Sequence, residues 1–339
     1  MRDDLGITTK LENGKAYLEF ALPEKIGRLL SALQIEIWEE AEGGRLVFHG
    51  EYSSEEADFM TALLLRPHLW DGMRDPYVYL VKAQGRFRTM EDGEKTGGTR
   101  NEEESDPAED ITEAEDVYWQ QELAIYDVRV IDKKGIFLNE KEFLLREVSY
   151  RLPPQISDVG TQEAQMKRDL ERLARMGVNA IRLEGTGSGA ERQNCYEVRA
   201  FYRLCRRGGF LTGDLWIRPE NLPVYRGLPG ETTCQELLAA DGRTLTERYY
   251  YYQAKWSNEP VLYPVLSTLH RQENGLLSLT IYSNQKKVVL YVDGLLFLFQ
   301  TAASGDPEFI FEDIPVEKLP LHLAVEAGNL SISLTVTKL

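Results

Sequence analysis

The sequence predicts a mixed β and α/β protein, with two β-sandwiches flanking a short α/β segment. Three observations predict it. Short alternating strands fill residues 1 to 86, a single strand–helix–strand–helix–strand run follows Gly135, and alternating strands return toward the C-terminus. The 339 residues are enough for several domains, each with its own core.

In the first region, "KAYLEFAL" (Lys15 to Leu22), "ALQIEIWE" (Ala32 to Glu39), "ADFMTALLL" (Ala57 to Leu65) and "PYVYLVKA" (Pro76 to Ala83) alternate or run apolar. Asn13-Gly14 and Gly43-Gly44 supply turns between them. Residues 88 to 116 lack apolar pattern and are expected to form a mobile, solvated insertion. From Glu91 to Asp116, twelve acidic residues stand against Lys95 and Arg100, so this stretch alone carries −10 of the formal −16. The sheet resumes at "VYWQQELAIYDVRVI" (Val117 to Ile131), and the first sandwich is assigned to residues 1–134.

The α/β segment is assigned to residues 135–220. Its strands are "FLLREVSY" (Phe143 to Tyr150), "VNAIRLE" and "FLTGDLW". The helix between the first two takes Thr161 as N-cap, Glu163 in its first turn and Gly177 as its stop, with Met166, Leu170, Leu173 and Met176 as its apolar stripe. The second helix, about Asn194 to Arg207, buries Val198, Phe201, Leu204 and Cys205 and ends at Gly208-Gly209. Residues 221–247 read as a connector. "RYYYYQAKW" is expected as the first strand of a second, immunoglobulin-sized sandwich over residues 248–339, in which alternate faces would bury two of Tyr249 to Tyr252.

Composition excludes several functions. The acidic balance disfavours nucleic acid and anionic membrane as partners. No apolar run is long enough to span a bilayer, and the N-terminus lacks a signal-peptide core, so a cytoplasmic location is expected. Cys195, Cys205 and Cys234 and the scattered His49, His68, His270 and His322 show no metal-ligand spacing, so no metal and no cofactor are expected. Gly185, Gly187 and Ala190 formally satisfy G-x-G-x-x-[GA], with Asp214 at the end of the next strand. That fingerprint needs glycines opening a helix after the first strand of its unit. Here the helix starts only near Asn194 and the preceding strand is the second, so no nucleotide site is assigned.

The order of pieces resembles family 2 glycoside hydrolases, the β-galactosidase and β-glucuronidase group. "HLWDGMRDPYVYLV" (His68 to Val81) is similar to the end of that family's immunoglobulin-like domain. "KKGIFLNEKEFLLREVSYR" resembles its entry into the catalytic barrel, G-F-x-L-N-G-K-x-x-x-L-R-G-V-N-R-H. "DLERLARMGVNAIRLE" and "FYRLCRRGGFLTGDLW" resemble the next barrel units, and "YYYYQAKWSNEPVLY" with "IYSNQKKVVLYVDGLLF" the immunoglobulin-like domain after the barrel. The resemblance implies two immunoglobulin-like sandwiches flanking a truncated, three-stranded β/α barrel fragment. A whole barrel takes about 250 residues, and the family's acid/base and nucleophile glutamates follow strands absent here.

The matching positions have drifted. Arg146 and Arg182 match family arginines and Asp214 its strand-three aspartate, while Glu147, Glu184 and Gly185 replace Gly, Ser and His. The ligand-binding candidates are therefore Arg146, Arg182 and Trp216, and the weak catalytic candidates are Glu147, Glu184 and Asp214, each placed near a strand's C-terminal end. A retaining glycosidase needs two carboxyl groups about 5–5.5 Å apart. The alternative is that Glu184 pairs with Arg146 or Arg182 as a strand-end salt bridge. Trp70, Trp256 and the tyrosine run are stacking candidates for a sugar, with core packing as the simpler role.

The expected function is thus a degenerate, non-catalytic relative acting as a carbohydrate-related binding or scaffolding protein. The alternative is an active β-galactosidase-like hydrolase with a relocated carboxylate pair. Expected partners are a carbohydrate and a second copy, or another chain, covering the open barrel fragment.

Overall fold

The computed structural model describes residues 5–22, 30–39, 44–53, 60–87, 116–152, 159–184, 196–212, 223–226, 236–239, 241–303 and 305–338. The acidic insertion, apart from Asp116, lies outside them, as do the glycine-rich loop, Cys195 and Cys234. The chain forms two compact units, Met1–Leu144 and Leu145–Leu339.

In the first unit, β1 (Gly6–Glu12), β2 (Lys15–Ala21) and β5 (Thr61–Leu65) make an antiparallel sheet in the order β1-β2-β5. A second sheet has the order β4-β3-β6-β7, from β3 (Leu30–Glu39), β4 (Leu46–Ser53), β6 (Tyr79–Phe87) and β7 (Val117–Leu123). Alternation explains how they meet. Ala16, Leu18 and Phe20 of β2 face one core with Leu33, Ile35 and Ile37 of β3 and Trp119 of β7. Asn13 and Gly14 take φ of 52° and 71° between β1 and β2, the left-handed pair a two-residue hairpin demands. Trp70, at the heart of the "HLWDG" stretch, is 2% exposed, so it is a core residue and offers no sugar platform. Val117 to Ile131 divides into β7 and a separate β8 (Val128–Ile131), which pairs with β9 (Gly135–Leu138), itself paired with β10 (Lys141–Glu142).

The second unit opens with parallel strands β11 (Glu147–Arg151), β12 (Ala180–Glu184), β13 (Leu211–Thr212), β14 (Val224–Arg226) and β15 (Glu236–Leu238). The sheet has five strands where the sequence predicts three, because two very short strands lie in the stretch read as a connector. Its order is β13-β12-β11-β14-β15. A barrel with strands deleted would seat its last strand beside its first. Here β14 takes that place and β15 lies outside it. Among the described strands the order counted along the chain is 3-2-1-4-5, so strand order reverses, a switch point, between β11 and β14.

Three helices share one core with one face of this sheet: α1 (Val159–Met176), α2 (Tyr196–Arg207) and α3 (Glu247–Trp256). α1 begins two residues before Thr161, which is therefore helical and not the N-cap. Its predicted stripe of Met166, Leu170, Leu173 and Met176 is buried. α3 corrects the strand expected from "RYYYYQAKW". Thr246 caps it by accepting from the Tyr249 amide, Glu247 sits in its first turn and Lys255 in its last. Tyr249 is buried, and Tyr250 and Tyr252 pack partly against the same core.

Within that core, Asp169 of α1 is fully buried. Its carboxylate accepts from Tyr150 Oη of β11 at 3.0 Å, Tyr225 Oη of β14 at 2.9 Å and Gln165 Nε2 at 2.8 Å. Tyr150 stacks on Phe201 of α2 and on Tyr225, at 4.6 and 5.7 Å between ring centroids. Burial and the Asp169 charge push the Tyr225 phenol well above its ordinary pKa.

The chain ends in a second sandwich of β16 (Leu262–Arg271), β17 (Leu277–Ser283) and β20 (Glu308–Ile314) against β18 (Lys287–Val292), β19 (Leu295–Thr301), β21 (Leu321–Ala327) and β22 (Leu330–Val336). The sheet orders are β16-β17-β20 and β19-β18-β21-β22. Numbered within each sandwich, these are the orders of the first: 1-2-5 against 4-3-6-7. Leu279, Ile281, Leu290, Phe311 and Val325 from both sheets form its core.

Two substitutions test this account by chemical denaturation. Gly177 has φ +91°, and a Cβ there would lie 2.5 Å from the Trp256 carbonyl oxygen, so Gly177→Ala should cost about 1–3 kcal/mol. Asp169→Ala leaves two buried tyrosine hydroxyls without this acceptor and should cost about 1–3 kcal/mol for each, whereas Tyr225→Phe should cost far less.

Candidate functional site

Alternation along β11 and β12 sends Val148, Tyr150, Ile181 and Leu183 into the helix-covered core. The other set, Glu147, Ser149 and Arg151 of β11 with Arg182 and Glu184 of β12, therefore shares the opposite face. The parallel register pairs Ser149 with Arg182 and Arg151 with Glu184. A polar sheet face with this much charge is unusual, since parallel strands are ordinarily apolar on both faces.

The face is divided into two clusters. At the carboxyl end, Glu184 accepts a hydrogen bond from Ser149 Oγ and holds Arg151 Nη2 at 3.1 Å from its Oε2. Both charged side chains there are about a quarter exposed. Deeper in, Arg182 Nε lies 3.4 Å from Glu147 Oε1, with the carboxylate side chain fully buried and the guanidinium nearly so. Glu236 of β15 is also buried, and its carbonyl accepts from Thr246 Oγ1 at 2.7 Å.

The structure thus separates the sequence-predicted residues. Glu184 closes β12, as expected of a strand-end carboxylate. Glu147 is the first residue of β11 and lies at the opposite end, contrary to its expected place. The register sets the two backbones four residues apart, roughly 13 Å along the strands, and brings Arg182 between them. Glu184 pairs with Arg151, neither of the two arginines expected, and Arg182 pairs with Glu147.

Arg146 precedes β11 and serves the other end of the sheet. Its Nη1 donates to the Trp256 carbonyl that ends α3 and, at 3.5 Å, to the Gly177 carbonyl that ends α1. Its backbone amide donates to Asn179 Oδ1 at 2.8 Å. Burial lowers its pKa. It is a structural cap on two helix C-termini. Asp214 and Trp216 lie outside the described residues. Trp256 packs partly into the core against Tyr252 at 4.5 Å between centroids.

Sequence reasoning missed Ser149 and Arg151 as site residues. Both lie within the stretch that resembles the family's entry into its barrel. The signal that finds them is the parity of β11, which puts 149 and 151 on the face of 147. The glycine-rich loop follows β12, a strand beside the central one. A groove of about 680 Å³ in the first unit, lined by Arg66, Asp127, Arg129, Asn139 and Glu140 among others, contains none of the predicted residues.

No family model and no curated protein sequence matches the chain. Solved structures do. The FMN-binding β-glucuronidase from Facaelibacterium prausnitzii L2-6 is similar over 99% of this chain and 74% of its own, at 14% identity and a TM-score of 0.65. The β-glucuronidase of Parabacteroides merdae is similar over 98% and 63%, at 11% identity and 0.63. A glycosyl hydrolase family 2 member from Bacteroides cellulosilyticus DSM 14838 is similar over 98% and 63%, at 13% identity and 0.60. The chain shares the fold of these glycosidases and spans less than two thirds of the length of the last two.

The buried pair offers a direct check on the geometry. Arg182→Leu removes the cation beside a buried carboxylate and should destabilise the protein by about 3–5 kcal/mol in urea unfolding, while the double variant Glu147→Leu/Arg182→Leu should recover much of that loss.

Proposed function

We propose that this chain, with its family 2 glycosidase fold, is a non-catalytic carbohydrate-related binding or scaffolding protein. The observation that carries the proposal is the state of Glu184. Its carboxylate is held by Ser149 and Arg151, and the other predicted carboxylate among the described residues, Glu147, is offset by four residues and paired with Arg182. A retaining pair needs its carboxyl groups about 5–5.5 Å apart, with one kept protonated.

The same cluster suits binding. Arg151 and Glu184 stand at the carboxyl ends of β11 and β12, beside the switch point, where open parallel sheets take their ligands. A partly exposed arginine and carboxylate offer donors and acceptors for a vicinal diol, with the buried Ser149 hydroxyl holding the carboxylate in place. The second reading, an active glycosidase, draws on the same partial exposure of Glu184 and on Asp214, two residues beyond the end of β13.

A panel of aryl β-glycosides separates the readings. The expected result is no turnover above the buffer blank, together with saccharide binding in calorimetry that weakens at least tenfold in Arg151→Ala. Turnover that disappears in Glu184→Gln would establish the hydrolase instead.

A further inference from the structure

The second sandwich carries an uncovered edge. β19 is the outermost strand of its sheet and pairs only with β18 among the described strands. From Gly294 to Ala303 the sequence has no charged residue. Leu295, Leu296, Leu298 and Phe299 are 75, 60, 42 and 52% exposed, and Ile310 on the adjoining edge strand β20 is 50% exposed. Gln300 Nε2 donates to the Ile310 carbonyl at 2.6 Å and ties the two edges into one surface.

Edge strands are ordinarily blunted by charge, proline or bulges, because their open backbone groups invite pairing. The first sandwich supplies the comparison within the same molecule. There β4 holds the equivalent position and carries His49 and Glu51, with His49 Nε2 3.4 Å from Glu51 and its Nδ1 3.7 Å from Glu36 of β3. β19 keeps one protective device, a bulge where Phe297 is skipped between the Leu290–Leu298 and Tyr291–Leu296 pairs. Beyond it, Leu298 to Thr301 pair regularly with β18 and leave their outer edge open.

We propose that a second copy of the chain covers this edge, with the two β19 strands antiparallel about a two-fold axis. Two features single out a copy over another partner. A two-fold contact is made by the same patch on both sides, and an apolar, uncharged strand is complementary to itself. With −16 on each chain, association through charged faces is repelled, whereas β19 itself carries no charge and the neighbouring Lys287 of β18 lies with its Nζ 4.2 Å over the Phe299 ring. The area also suffices. At about 200 Å² for a fully exposed large apolar side chain, these five residues present roughly 500 Å² per copy, a size that marks functional patches. A pair would bury roughly 1,000 Å², the threshold of a specific interface, before counting backbone pairing.

Sedimentation of the full chain across the micromolar range tests this. The expected result is a dimer that becomes monomeric in Leu296→Glu/Leu298→Glu and persists in Leu46→Glu on the equivalent edge. A wild-type chain that stays monomeric overturns the proposal, as does a dimer that survives the double substitution with unchanged circular dichroism. Should the double variant fail to fold, hydrogen exchange on the wild type decides. Amides of residues 295–301 should gain protection as concentration rises, and protection independent of concentration overturns the proposal.

Discussion

A fully buried carboxylate organises the α/β segment. Asp169 sits on α1 among methionines and leucines, and two tyrosine hydroxyls from adjacent strands converge on it. A carboxyl group in such a place is tolerable only with its hydrogen bonds made, so the positions of Tyr150 and Tyr225 are tightly determined. Tyr225 is the middle residue of a three-residue strand, and Arg172 Nη1 of α1 also donates to its hydroxyl at 3.5 Å. Its bond to Asp169 and its stack on Tyr150 place β14 beside β11. That placement puts the switch point of the described strands beside β11.

The opposite face follows from the same alternation. With Val148 and Tyr150 committed to the helices, Glu147, Ser149 and Arg151 must share the other side. Neighbouring β12 presents Arg182 and Glu184 there. Four charges on two adjacent strands settle into two ion pairs, one buried and one at the rim. The inner pair neutralises charge that could not otherwise stay buried. The outer pair is about a quarter exposed. The geometry that satisfies these charges also keeps Glu147 and Glu184 apart, at opposite ends of the paired strands.

The two sandwiches show how one topology tolerates different edges. Both place their fourth strand at the rim of the four-stranded sheet. β4 meets solvent with histidine and glutamate, and β19 with leucine and phenylalanine. Strand order does not dictate this choice, because a rim residue is constrained by what lies outside the sheet and not by the core.

Much of the architecture was legible from the residues alone. Period-two alternation located most strands of the first sandwich, glycines at 177 and 209 marked the ends of α1 and α2, and the family-like phrases appeared in the order the fold requires. Local pattern failed where it carried two meanings. Four consecutive tyrosines favour a strand by propensity, but Thr246 as N-cap and burial of Tyr249 against α1 made them a helix. Strands as short as β14 and β15 have no period to read; partners far along the chain create them. The pairing of Glu184 with Arg151 and of Glu147 with Arg182 likewise depended on parallel register, which sets residues more than thirty positions apart side by side. The sequence by itself determined which residues alternate, where helices stop and how charge is distributed, because those depend on neighbours a few positions away. Strand order, the division of the charged face and the exposed edge of β19 were decided only by the tertiary structure, because each depends on contacts between segments that no local pattern connects.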